Sequence, residues 1–398
     1  MINRFIRKLK RSKLTVHSFR TLFSFFSHLP RQKNLVMFES FNGRQYSDNP
    51  RAIYEYLAEH YPSYKLVWSA DRRFHSQFED KGLDVAYRFS LKWLWLMPRA
   101  KYWVSNSRFP ESFRKPPSTV YLQTWHGTPL KRLGVDIEEV VMPGTTTEKY
   151  KKNFVSEAQR WDYLVSPNRY SSDIFKRAFG FTNEMLETGY PRNDSLFTLN
   201  NQESIERLKK ETGLPLDKKI ILYAPTWRDN DFYEVGKYKF KIQLNLKKLQ
   251  EQLGEEYIIL CRFHYLVAEN LDVSEYEGFV YDFSRYEDIR NLYLMSDMLI
   301  TDYSSVFFDF AILQKPMLFY VYDIEMYRDQ LRGFYFDFEK KAPGPLVKTT
   351  DEVIDAVQAL SSPSYKPSPL LEEFQRQFTY LEDGHATERV VKKVFTNT

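Results

Sequence analysis

At 398 residues the chain is long enough for two domains, each with a core of its own. Its single cysteine, Cys261, excludes a disulfide framework and any cysteine-based zinc site, and it fits a reducing cytoplasm. The net charge of +5 is unevenly placed: residues 1–33 hold nine Lys and Arg and no acid, so the remainder carries −4, which argues against a nucleic-acid-binding body. Aromatic residues make up 17% of the chain, and such rings suit carbohydrate-like or membrane-interface partners once core packing has taken its share.

Residues 2–29 set Ile2, Phe5, Ile6 and Leu9, then Phe19, Leu22, Phe23, Phe26 and Leu29, largely at helical spacing, with Lys and Arg on the other side. No apolar run approaches the roughly 20 residues needed to span a bilayer, and no secretory cleavage site follows. The pattern predicts a basic amphipathic helix over 1–33 lying on an anionic membrane surface. The competing reading is a first helix packed on its own domain.

From Asn34 short apolar runs alternate with helical segments. Strands are predicted at Leu35–Phe38, Lys65–Trp68, Tyr102–Val104, Val120–Leu122 and Tyr163–Ser166, with helices at Pro50–His60, around Leu91–Leu96 and at Thr147–Arg160. The Gly/Pro turn Leu186–Asp194 and polar Ser195–Asn201 read as a linker. A second series follows: a helix to Thr212, then strands Ile220–Tyr223, Tyr257–Leu260, Met298–Thr301 and Met317–Tyr320, separated by helices at Leu246–Leu253, Glu287–Ser296 and from Val306. A last helix over 371–395 is expected to cross back onto the first domain. The whole predicts an α/β chain of two doubly wound parallel sheets, with domains at 34–190 and 191–365 and a returning segment at 366–398.

Chemistry-bearing residues collect just beyond strand ends, where open α/β sheets put their ligand sites. His126 lies in the polar turn Gln123–Pro129, and its imidazole suits proton removal from a hydroxyl at neutral pH. In the second half three such loops carry Pro225, Thr226 and Arg228; Arg262 and His264; and Asp302, Ser304 and Ser305. Converging Thr, Arg, His and Ser suggest a diphosphate site, with plain helix capping the alternative for the serines. No P-loop, no HExxH pair and no carboxylate cluster asks for a metal, so no cofactor is expected.

The motifs TWHGTP, ETGYPRND, YAPTWRD, CRFHY, TDYSSVFFD and LRGFYFDF, with FESFNGRQYSDNPRAIYEYL, MPRA and LEDGHATER, resemble the CDP-glycerol glycerophosphotransferase family of wall teichoic acid synthesis over roughly residues 34–395. The likeness is to its single-module glycerol-phosphate primases and transferases. It implies a GT-B-like fold, with CDP-glycerol on the C-terminal domain and a polyprenyl-diphosphate-linked disaccharide acceptor, bare or primed, on the N-terminal one. It implies a peripheral position on the cytoplasmic face of the membrane, with other teichoic acid enzymes as further partners. The family's essential histidines match His126 and His264. Its substrate ligands match Gly127, Thr128, Pro129, Arg192, Pro225, Thr226, Arg262, Phe263, Ser304, Ser305 and Asp309. His126 is then the expected base, and His264, Arg262 and the two serines the expected stabilisers of diphosphate charge. Rival readings are a CDP-ribitol or other CDP-alditol donor, a capsule product, a nucleotide-sugar glycosyltransferase, and a non-catalytic membrane scaffold.

Overall fold

Strands that are apolar along their whole length need cover on both faces, and helices supply it twice here. The computed structural model describes residues 13–396 apart from 111–112, 141–144, 227, 229–231, 235–236, 239–241, 264–271 and 332. Strands β1 (Gln32–Glu39), β2 (Lys65–Ala70), β3 (Val85–Tyr87), β4 (Ala100–Ser105), β5 (Val120–Gln123), β6 (Tyr163–Ser166) and β7 (Glu184–Glu187) form one parallel sheet, ordered β3-β2-β1-β4-β5-β6-β7. Strand β8 (Lys219–Tyr223) is followed by a hairpin, β9 (Phe232–Glu234) with β10 (Lys237–Tyr238). It then joins β11 (Tyr257–Cys261), β12 (Val280–Asp282), β13 (Met298–Thr301), β14 (Met317–Tyr320) and β15 (Leu346–Val347) in a second parallel sheet, ordered β12-β11-β8-β13-β14-β15.

Both sheets step outward from their first strand and then reverse, so each has a switch point: between β1 and β4, and between β8 and β13. Two Rossmann-like sheets thus present their carboxyl ends to a shared cleft. The loops at those ends line it.

Local chemistry explains most boundaries. Helix Arg169–Phe179 starts where the Asn168 side chain accepts the Ser171 N–H, and it stops at Gly180, whose φ of 63° a side-chain-bearing residue rarely adopts. The segment read as linker is more structured than its punctuation suggests. Glu184–Glu187 completes the first sheet, and helical turns follow at Pro191–Asp194 and Ser195–Thr198 with Arg192, Asn193 and Leu196 buried. The final segment is two helices rather than one. Pro369–Phe378 packs Leu371, Phe374 and Phe378 into the second domain. Gly384, at φ 85°, turns the chain, and Ala386–Val391 with its continuation Lys392–Thr396 lays Val390, Val391, Val394 and Phe395 against β1 and β4 side chains of the first.

Near the N-terminus, helix Lys13–Ser27 seats Phe23 among Trp93, Trp103 and Phe113, while Phe19 meets Phe89 and Phe26 meets Trp95. The packed-helix reading therefore holds for this face, because a complementary aromatic surface is available on the same domain. Leu22 and Phe25 point outward. Residues 1–12, the first part of the expected membrane helix, lie outside the described residues, and no described helix is long and apolar enough to cross a membrane.

Candidate active site in the interdomain cleft

The cleft is a cavity of about 900 Å³, and two sets of contacts join the domains beside it. In one, Arg51 reaches Glu287 at 2.9 Å and Lys81 reaches the same carboxylate at 2.6 Å. In the other, the Tyr335 N–H donates to the Leu130 carbonyl and the Arg132 N–H to that of Gly333.

His126 stands on the first-domain wall, just past β5. Its Nδ1 lies 2.8 Å from the Asn106 carbonyl oxygen. A carbonyl only accepts, so Nδ1 carries the proton and Nε2 keeps its lone pair. Burial, then the nearby Arg192 and Arg108 guanidiniums, lower the imidazole pKa below its ordinary value against the opposing pull of Asp48 and of the Asn106 hydrogen bond. At neutral pH the ring is a neutral base with Nε2 available.

The backbone that aims this ring is strained. Trp125 has φ 52°, in the left-handed region that a bulky residue avoids at a cost of about 1–3 kcal/mol. The strain is offset locally. The Gln123 side chain accepts the Trp125 N–H at 3.0 Å, buried Asn49 donates to the Trp125 carbonyl at 3.2 Å, and the indole stacks on the imidazole with ring centres 4.6 Å apart. Phe41, Asn42 and Asp48, on the β1 loop of the same wall, also have positive φ.

Gly127 follows, and a Cβ there would lie 2.7 Å from the Ser305 hydroxyl of the other domain. A side chain at 127 would press on Ser305, because the two walls approach closely here. Thr128 is buried next to it, and the Pro129 carbonyl accepts the Tyr170 hydroxyl at 2.8 Å.

On the facing wall, Pro225 and Thr226 leave β8, Arg262 and Phe263 leave β11, and Ser304 and Ser305 leave β13; all line the cavity. Ser305 precedes helix Val306–Phe310 but its side chain makes no cap bond, so the capping reading fails for this hydroxyl. Thr226 is 6% exposed, its hydroxyl has no partner among the described residues, and its N–H donates to Asp302 at 2.8 Å. Arg228, from the same loop, bridges Asp302 at 2.9 Å and Asp323 at 2.8 Å, locking the Thr226 and Ser304 loops together. The Phe263 N–H donates to Ser284 Oγ at 3.0 Å. His264 lies outside the described residues.

Three residues matched through the resemblance are held by acceptors or donors within the protein. Arg192 pairs with Asp48 at 2.9 Å and Asp309 at 2.6 Å and donates to the His126 carbonyl at 3.0 Å. Asp309 also accepts from Asn193 at 3.2 Å. Arg262 donates through Nη1 to the carbonyls of Phe283, Ser284 and Tyr286 at 2.8, 2.8 and 2.6 Å. Arg192 and Asp309 thus tie the His126 loop to the second domain. Among the described residues no group of His, Cys, Asp and Glu is placed to hold a metal ion.

Residues 21–396 match the family model described as CDP-Glycerol:Poly(glycerophosphate) glycerophosphotransferase. The chain belongs to this family. It is 58% identical over 397 residues to the teichoic acid poly(glycerol phosphate) polymerase of Bacillus subtilis (strain 168), covering 98% of itself but 53% of that relative. It thus spans about half that protein's length. With the teichoic acid glycerol-phosphate transferase of Staphylococcus aureus (strain NCTC 8325 / PS 47) it is 48% identical, covering 96% of itself and 98% of the relative. The solved structure of the wall teichoic acid polymerase TagF superposes with a TM-score of 0.87 at 40% identity, over 100% of this chain and 98% of that one. TagF was also solved as a histidine-to-asparagine variant soaked with CDPG.

Reading by strand ends finds the loops after β5, β8, β11 and β13 and passes over those after β1 and β4. These bring Asp48, Asn49 and Arg108 to the cavity wall or against it. The same rule would have found them, since both loops are polar runs directly beyond apolar strands.

Proposed function

We propose that the chain transfers glycerol phosphate from CDP-glycerol to a hydroxyl of a lipid-linked acceptor in wall teichoic acid synthesis and releases CMP. The observation that carries this reading is His126, its Nδ1 held by the Asn106 carbonyl so that Nε2 is left as the base, lining one cleft with Thr226, Ser304 and Ser305, where Gly127 comes close to Ser305. Nε2 takes the proton of the acceptor hydroxyl. The oxygen attacks the glycerol-bearing phosphorus, the bond from that phosphorus to the bridging oxygen breaks, and CMP leaves with the electron pair. Hydroxyl and backbone donors on the second-domain wall hold the diphosphate and stabilise its growing charge. An acceptor that already bears glycerol phosphate is favoured, because relatives at 48–58% identity are named polymerase and transferase.

The test is incubation with CDP-glycerol or CDP-ribitol and synthetic lipid-diphosphate disaccharides, bare or carrying one glycerol phosphate, with products counted by mass. Glycerol phosphate addition to the primed acceptor is expected. Transfer from CDP-ribitol alone, or from neither donor, would overturn the reading.

The membrane surface is the second element of the proposal. Leu22 and Phe25 on helix Lys13–Ser27 are exposed, and so are Phe89, Leu91 and Trp95 near it, Leu91 at 83%. Arg99 stacks on Trp95 at 4.1 Å. An apolar patch edged by cations suits peripheral docking on anionic lipid. Flotation with anionic liposomes should carry the wild type and fail for the double variant Leu91→Ser, Trp95→Ser; equal flotation of both would remove this patch from the account.

A further inference from the structure

Five arginines line the cleft, and four are held by protein acceptors. Arg192 is held by Asp48 and Asp309, Arg290 by Asp288, Arg262 by three carbonyls, and Arg160 by Glu157 and the Phe113 carbonyl. Arg108 differs. Among the described residues it has no hydrogen-bond acceptor and no carboxylate, yet its guanidinium has a defined position, 4.1 Å from the Phe154 ring centre and 5.5 Å from that of Tyr150. Stacking of this kind fixes the plane of a guanidinium while leaving its N–H edge able to take a planar or tetrahedral oxyanion. A partly buried cation oriented by two rings, beside a reaction cleft and without an anion of its own, is what a substrate anion would complete.

Its location selects the anion. Arg108 follows β4, two residues after Asn106, whose carbonyl orients His126. It is therefore on the first-domain wall, on the base's side of the cleft, opposite Thr226, Ser304 and Ser305. A cavity of about 900 Å³ is at the upper end of what one small ligand fills, which leaves room for part of a second substrate beside the donor. We propose that Arg108 binds the phosphodiester of an acceptor that already carries a glycerol phosphate, next to the hydroxyl that His126 deprotonates. This deepens the functional reading above and rests on it. Arg108 thereby makes the enzyme prefer a charged acceptor terminus over a bare sugar, a specificity role the second-domain wall does not supply.

The anion could instead be the donor's diphosphate, so the experiment separates the two. Two acceptors of equal length are compared, one with a native phosphodiester and one with that group capped as a neutral methyl phosphotriester. The wild type should favour the charged acceptor in kcat/KM by about tenfold or more, the worth of a charge-assisted contact. Arg108→Gln should erase that preference, Arg108→Lys should keep part of it, and CDP-glycerol affinity by calorimetry should be unchanged in both. A wild type indifferent to the cap, or a Gln variant that retains the preference, would overturn the assignment. Weakened CDP-glycerol binding in the variants would move Arg108 to the donor and overturn it as well. If the wild type transferred to neither acceptor while binding CDP-glycerol, the functional reading itself would fall, and this inference with it.

Discussion

Glu382 sits where the linker meets the returning C-terminal segment. Its Oε1 accepts the Tyr190 N–H and the Asn193 amide, each at 3.0 Å, while buried Oε2 has no partner among the described residues. Burial above all, with Asp309 and Asp194 nearby, pushes its pKa up to about 8 from 4.5, against the lowering effect of the two hydrogen bonds. The folded protein therefore binds a proton that the unfolded chain releases at lower pH. The associated stability is fully present below pH 4.5 and is lost as pH rises to about 8, on the order of 5 kcal/mol across the window. Glu382→Gln, neutral at every pH, should raise the thermal unfolding temperature at pH 7.5 and leave it unchanged near pH 4.5. Equal unfolding temperatures at both pH values would show that the carboxyl ionises freely in the folded state.

At the scale of elements, the strand-end loops show what a sequence discloses and what it withholds. The apolar runs that became β1, β2, β4, β5, β6, β8, β11, β13 and β14 are visible because parallel strands buried on both faces need nearly unbroken Val, Ile, Leu and aromatics. Glu184–Glu187 is not visible, since half of this short edge strand is glutamate, and its identity comes from pairing with β6. Leu346–Val347, only two residues long, is likewise defined by its partner β14. The single last helix fails at Gly384, where a positive φ turns the chain between domains, a demand set by tertiary geometry. His126, Thr226 and Ser305 are legible from residue type and position. The buried commitments of Arg192 and Arg262 are not, because a sequence shows that a guanidinium is present but not which acceptors surround it. Trp125 is a further case: nothing in its identity announces a left-handed backbone, and only Asn49 and Gln123, 76 and 2 residues away, make that conformation tolerable.

For the whole molecule, two sheets of the same winding order meet at their carboxyl ends, and every functional element follows from that meeting. The first domain brings the His126 imidazole and, in Arg108, a guanidinium without an acceptor among the described residues, the second a wall of hydroxyls, and Arg192 joins them through Asp48 and Asp309. The central claim is a division of labour: the second-domain wall binds the donor and His126 acts on the acceptor. It is tested most directly by measuring CDP-glycerol affinity by calorimetry and transfer rate in parallel for the wild type and His126→Asn. The account predicts nearly unchanged affinity with a transfer rate lower by about 100-fold or more, the range for loss of a general base. Near-full transfer by the variant, or affinity that falls in step with the rate, would contradict it.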